Sequence, residues 1–102
     1  MVTVIFRARM KAGKEDEAVE AMRKMAEAVE KEEANALLYA VCRNQEDPSE
    51  LIVLESYKDD DTFKAHMGTS HMADMRAAFG DLFDGTHVKL ERLERVSGFA
   101  RG

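Results

Sequence analysis

Leu51-Ile52-Val53-Leu54 is apolar at every position and opens a stretch, residues 51–58, that reads as a β-strand. Neighbouring side chains on a strand point to opposite faces of its sheet, so this strand demands cover on both. Residues 2–10 make the same demand in weaker form. Val2, Val4, Phe6, Ala8 and Met10 share one face, and Ile5 stands with Thr3, Arg7 and Arg9 on the other. Helices of the same chain can cover one face of such a sheet. The second face needs another layer, and the sheet of a second copy supplies it. A homodimer joined through the sheet face is therefore expected. A chain of 102 residues buries little of its own surface and gains most from such pairing.

The remaining elements fall around these strands. Gly13 precedes a helix expected over about 14–34, with Ala18, Met22, Met25 and Val29 at helical spacing and Val19 and Ala26 widening the stripe. Glu15, Asp16 and Glu17 occupy its first turn, where the helix dipole favours negative charge. Asn35 suits a left-handed stop. Residues 36–43 read as a second strand, joined to 51–58 by the turn-rich Asn44–Glu50 with the only proline, Pro48. Asp59, Asp60, Asp61 and Thr62 offer N-caps for a short helix through Met67, which Gly68 ends. Thr69 or Ser70 caps a further helix bearing Met72, Met75 and Phe79. Gly80 to Gly85 reads as a loop, Thr86–Val96 as a last strand, and Ser97–Gly102 as a tail. The order is β-α-β-β-α-β, an α+β ferredoxin-like antiparallel sheet in one domain, residues 1–102.

Composition narrows the function. A net charge of −5, with Lys and Arg scattered among Asp and Glu, gives no basic stripe for nucleic acid. One cysteine, Cys42, permits no internal disulfide, and its apolar neighbours mark it as a buried small hydrophobe. No apolar run approaches the roughly 20 residues of a membrane helix. The start Met1–Phe6 is cut short by Arg7 and Arg9, unlike a signal peptide. A cytoplasmic protein with no membrane or nucleic-acid partner is expected.

Three stretches carry a resemblance to a known family. They are Lys11-Ala12-Gly13-Lys14-Glu15-Asp16-Glu17, the hairpin segments Leu38–Arg43, Glu46-Asp47-Pro48 and Val53–Tyr57, and Phe63-Lys64-Ala65-His66-Met67-Gly68-Thr69-Ser70-His71-Met72. The last is similar to the H-x-x-S-x-H signature of the antibiotic biosynthesis monooxygenase (ABM) family. Together they span about residues 2–96 in the family's order. The resemblance implies a dimeric α+β barrel with a pocket in each protomer between sheet and helices. It also implies an enzyme of the kind that oxidises quinols, phenols or anthrones with O2 and no cofactor or metal. Other members degrade heme or process small signalling molecules, and the fold alone does not choose among them.

A cofactor-free oxygenase makes its substrate the electron donor, by removing a proton to leave an electron-rich anion. His66 and His71 are the candidate bases, because imidazole titrates near neutral pH. Each also has a structural reading, His66 meeting a helix dipole and His71 fixing the turn between helices. As metal ligands they lack the i,i+4 spacing and an evident third partner. His87 reads as a solvated edge residue. Tyr39 and Tyr57 are candidate hydrogen-bond donors to a substrate oxygen, and packing residues otherwise. Phe6, Phe63, Met67, Met72, Met75 and Phe79 are the expected pocket walls, and equally a core stripe. Arg7 and Arg9 read as surface or interface ion-pair partners.

The chain departs from two branches. In ungapped alignment Phe6 stands where heme degraders have Asn, His66 where they have Trp, and Arg76 where they have the His ligand. The absence of Trp also separates it from the anthrone oxygenases. An oxygenase for a small aromatic quinol or phenol is the leading expectation. A small-molecule isomerase and a non-catalytic dimer holding a hydrophobic ligand are the alternatives.

Overall fold

The alternation of residues 2–10 produces β1 (Val2–Met10), an inner strand of a four-stranded antiparallel sheet in a computed structural model describing residues 1–101. The other elements are α1 (Glu15–Glu32), β2 (Ala36–Arg43), β3 (Glu50–Tyr57), α2 (Asp60–Met67), α3 (Ser70–Leu82) and β4 (Phe83–Leu93). The strand order is β2-β3-β1-β4. This is the α+β ferredoxin-like arrangement that the element order implied.

One face of the sheet meets the helices. Ala8 and Met10 of β1 and Leu51 and Val53 of β3 are buried there, against Ala18, Met22, Met25 and Val29 of α1, while Val4 joins Val2 and Tyr57 in a second, smaller cluster. The other face carries Ile5, paired with Leu54, and Ile52, paired with Cys42. Leu38 and Leu93 flank them and are half exposed. Cys42 is exposed rather than buried, because its side chain lies on this face, away from the helices. Arg7 pairs with Glu50 and Glu91, and Arg9 with Asp47, as surface ion pairs.

Local chemistry sets the boundaries. The Asn44 side chain accepts the N–H of Glu46 and of Asp47, closing the β2–β3 turn. Asp59 caps α2 by accepting the Thr62 N–H, and Thr69 caps α3 by accepting that of Met72. Asn35 is no left-handed stop, since no residue other than glycine has positive φ among those described. The helix ends at Glu32, and the Glu33 side chain turns inward to two histidines.

The expected loop at Gly80–Gly85 is also replaced. Helix α3 runs through Gly80 to Leu82, and β4 begins at once with Phe83. A helical glycine costs about 1 kcal/mol against alanine. Burying Leu82 and Phe83 contributes about 1.5–3 kcal/mol each and outweighs it. Gly85 instead marks a bulge. Arg9 pairs with Asp84 and Ala8 with Val88, so Gly85, Thr86 and His87 loop out between them. Asp84 accepts from the Thr86 N–H and hydroxyl there.

Met25 is the central anchor of α1 on the sheet. Met25→Ala is expected to lower unfolding free energy by about 2–4 kcal/mol in urea titration, whereas Val96→Ala, on the exposed tail, should change it by less than about 0.5 kcal/mol.

Candidate functional site

Strand alternation puts Glu55 and Tyr57 of β3 on the helix-facing side, in the row begun by Leu51 and Val53. Tyr39 of β2 is the direct cross-strand partner of Glu55. Over them lies His66, at the end of α2, packed between Tyr57, Tyr39 and Phe63 with ring centroids 5.0, 5.8 and 6.5 Å away. The break between α2 and α3 then lets His71 approach from the other side. Thr69, which holds the place of the serine in the H-x-x-S-x-H pattern, fixes the break. Its hydroxyl donates to the His66 carbonyl and accepts the Met72 N–H.

Glu33 joins the two histidines. His66 Nδ1 lies 2.9 and 3.0 Å from its two carboxylate oxygens, and His71 Nε2 lies 2.5 Å from Oε2. The three side chains are 2, 8 and 12% exposed for His66, Glu33 and His71. A carboxylate only accepts hydrogen bonds, so each of these ring nitrogens carries a proton and donates it. In the neutral rings the lone pairs are then at His66 Nε2 and His71 Nδ1. His66 Nε2 faces Glu55 Oε1 at 3.9 Å, and His71 Nδ1 faces Glu32 Oε2 at 3.6 Å. Tyr57 donates its hydroxyl to Glu55 Oε1 at 2.5 Å.

Burial governs the acids in this cluster. Desolvation raises the Glu55 pKa above its usual value, against the hydrogen bond from Tyr57 and the attraction of His66. It also raises Tyr39 and Tyr57 well above the ordinary phenol range, with the Glu55 hydrogen bond adding to the shift of Tyr57.

Beside His66 opens an apolar cavity of about 250 Å³. Phe6, Tyr39, Phe63, Met67, Met72, Met75 and Phe79 line it. Val88, Leu90 and Met67 are partly exposed at its walls, and Arg76, which donates to the Met67 carbonyl, also borders it. The polar groups on the wall are Tyr39, Glu55, His66 and Arg76. A larger depression at Lys11, Lys14, Glu17 and Asp81 is open to solvent and borders none of these groups.

The expected site residues divide accordingly. His66 and Tyr39 reach the cavity. Tyr57 is fully buried and supports Glu55 rather than lining the space. His71 lies behind Glu33 and borders a separate shallow depression with Met25, Asp74 and Ala78. His87 is solvated, as expected, and bonds to Asp84. Glu33, Glu55, Met22, Arg76, Val88 and Leu90 were not anticipated. Glu55 had a signal, an acid in an otherwise inward apolar row. Glu33 had none, being the last acid of Glu30-Lys31-Glu32-Glu33. It also supplies the third donor that the histidines lacked in sequence, since one donor atom from each of Glu33, His66 and His71 falls within 4.8 Å of the others.

Comparison with known proteins agrees with this fold. The sequence model of the family described as antibiotic biosynthesis monooxygenase matches residues 1–78. A Caulobacter crescentus structure, provisionally described as an antibiotic biosynthesis monooxygenase, is 26% identical with a TM-score of 0.87, covering 94% of this chain and 90% of its own. A Bacteroides thetaiotaomicron structure with the same provisional description is 17% identical, TM-score 0.88, covering 99% and 94%. Rv0793 from Mycobacterium tuberculosis is 20% identical, TM-score 0.86, covering 97% and 98%. The last two establish likeness of fold. No curated protein matches the chain in sequence.

The raised Glu55 pKa has a consequence for stability. A carboxyl whose folded pKa lies above its unfolded value of 4.5 binds its proton more tightly when folded. Its contribution is therefore most favourable below that value and is lost as pH rises through the folded pKa. Glu55→Gln removes the charge and keeps an acceptor for Tyr57. The variant should be more stable than the parent at neutral pH, with the difference shrinking in acid, measured by urea unfolding across pH.

Proposed function

Because the chain belongs to the antibiotic biosynthesis monooxygenase family, we propose that it is a cofactor-independent monooxygenase for a small aromatic quinol or phenol, with residues 1–102 as one catalytic domain. Family membership supports a monooxygenase-like activity in general terms. The substrate class and the use of O2 rest on the site. The observation that carries the reading is the placement of His66: its Nδ1 lies 2.9 Å from the buried Glu33 carboxylate and its ring borders an apolar cavity, an arrangement that directs the Nδ1 proton to Glu33 and leaves Nε2 to accept.

The chemistry follows from that placement. A phenolic hydroxyl in the cavity gives its proton to His66 Nε2, and the buried Glu33 carboxylate stabilises the imidazolium that forms. The resulting anion is electron-rich and passes an electron to O2. Recombination of the two radicals forms a carbon–oxygen bond, and the hydroperoxide, after proton transfer, loses water to leave a carbonyl. One oxygen atom enters the product and the other leaves as water. Tyr39 on the cavity wall is placed to donate a hydrogen bond to the substrate oxygen. The volume is close to the lower end of ordinary ligand pockets, about 300 Å³, which favours a one- or two-ring guest over heme. His71 acts through Glu33 as a positioning residue.

Glu55 facing His66 Nε2 favours one alternative, an isomerase that moves a proton between two carbons beside a carbonyl. Labelled O2 separates the two, since only the oxygenase carries the label into product. In metal-stripped protein, oxygen uptake with a panel of quinols is expected. His66→Gln should lower kcat by about 10²–10⁴-fold while leaving the fold intact. Uptake unaffected by His66→Gln would remove His66 as the base. No uptake with any quinol would transfer the weight to the isomerase or to a hydrophobic-ligand-binding dimer.

The homodimer is part of the same proposal, with the chain placed in the cytoplasm. No helix among the described residues is long and apolar enough to cross a membrane. Ile5, Ile52, Leu54, Leu38 and Leu93 give the sheet face an apolar surface suited to a second copy. Leu38→Glu combined with Leu93→Glu changes two half-exposed positions and should convert the dimer to a folded monomer in sedimentation equilibrium. A dimer of unchanged strength would place the contact elsewhere.

A further inference from the structure

The hydrogen-bonded cluster that holds His66 also has the composition of a metal site. We propose that Glu33, His66 and His71 bind one divalent first-row transition ion such as zinc, through Glu33 Oε, His66 Nδ1 and His71 Nε2. The inference does not depend on the oxygenase reading.

The donor set is the first reason. Two imidazole nitrogens and one carboxylate oxygen suit zinc, cobalt or iron and not the harder magnesium or calcium, which take oxygen. Convergence is the second. The three donor atoms fall within 4.8 Å of one another, with oxygen–nitrogen separations of 2.5–3.0 Å. Donors around zinc in tetrahedral geometry stand about 3.3 Å apart. Opening the His66–Glu33 contact by about 0.3–0.4 Å and the His71–Glu33 contact by about 0.8 Å admits the ion, and Glu33 lies just past the last residue of α1, where its side chain is not fixed within a helical turn.

The outer nitrogens are the third and most specific reason. A ligating histidine usually donates its second ring N–H to a carboxylate. Both histidines have one in place: Glu55 opposite His66 Nε2 at 3.9 Å, and Glu32 opposite His71 Nδ1 at 3.6 Å. With the protons on the inner nitrogens, lone pairs face these acids and the contacts stay long. Metal on the inner nitrogens moves each proton to the outer one, and both contacts can shorten into hydrogen bonds. His71 is the most accessible of the three and gives the ion its approach and a position for water.

One consequence concerns the base. His66 bound through Nδ1 carries its proton on Nε2, so the nitrogen beside the cavity no longer accepts one. Occupancy by the ion and proton abstraction by His66 therefore exclude each other.

Calorimetric titration of the chelator-treated full chain with zinc chloride tests the site, with the visible spectrum of the cobalt-loaded protein as a second readout. One ion per chain is expected, with a cobalt ligand-field band. Glu33→Gln should weaken binding by about 100-fold or more, and Glu32→Gln, at an exposed position that leaves the fold undisturbed, by about 10-fold. His87→Ala, which removes the one solvated histidine, should change nothing. No heat and no cobalt band with the parent protein would overturn the proposal. So would unchanged affinity in folded His71→Ala, or binding lost in His87→Ala, which would mark an adventitious surface ion.

Discussion

One carboxylate held between two imidazoles organises this molecule. Glu33 lies beyond the end of α1, His66 closes α2 and His71 is near the start of α3, so a single acidic side chain ties together three helices that are remote in sequence. Removing such a group from water is costly unless its oxygens are fully bonded, and here both oxygens receive ring N–H donors. The cost has a structural return in that the orientation and tautomer of both rings follow from it. His66 cannot rotate freely, since Tyr39, Tyr57 and Phe63 pack around it, and its remaining nitrogen is directed to the sheet side of the cavity.

The sheet supplies the other half of the constraint. Its helix side is apolar near α1 and becomes polar at Glu55 and Tyr57, two residues of the same alternating row. Hydrophobic burial and a polar network therefore occupy one face without a break in the strand. The cavity is lined from β1 and β4 on the sheet side and from α2 and α3 on the helix side, with Phe6 and Phe79 in an edge-to-face contact on its wall. Its largely apolar walls and few polar groups suit the anion of the proposed reaction, since water in that space would solvate the charge and blunt its reactivity.

Much of the fold was legible because period-two and period-3.6 patterns are local. The row Val2, Val4, Phe6, Ala8, Met10 and the stripe Ala18, Met22, Met25, Val29 identified their buried faces directly. The α3–β4 junction was not legible, because Gly80 and Gly85 suggest a loop while burial of Leu82 and Phe83 carries the helix straight into the strand. Cys42 was misplaced because an apolar neighbourhood in sequence does not say which face of the sheet it occupies. For the site, the histidines and the aromatic and methionine walls were visible as residue types at suggestive spacing. Glu33 was not, since nothing local distinguishes it from the acids of α1 and its role comes from contacts 33 and 38 residues away. Tyr57 has the right chemistry but one more position of depth than a wall residue needs.

Whether Glu33 dictates the state of His66 is read most directly by nitrogen-detected NMR of the histidine rings in the metal-free protein near neutral pH. His66 should carry a proton on Nδ1, and Glu33→Gln should weaken or redistribute that preference. A His66 found predominantly as the Nε2–H tautomer, or one indifferent to Glu33→Gln, would contradict the arrangement on which the base assignment depends.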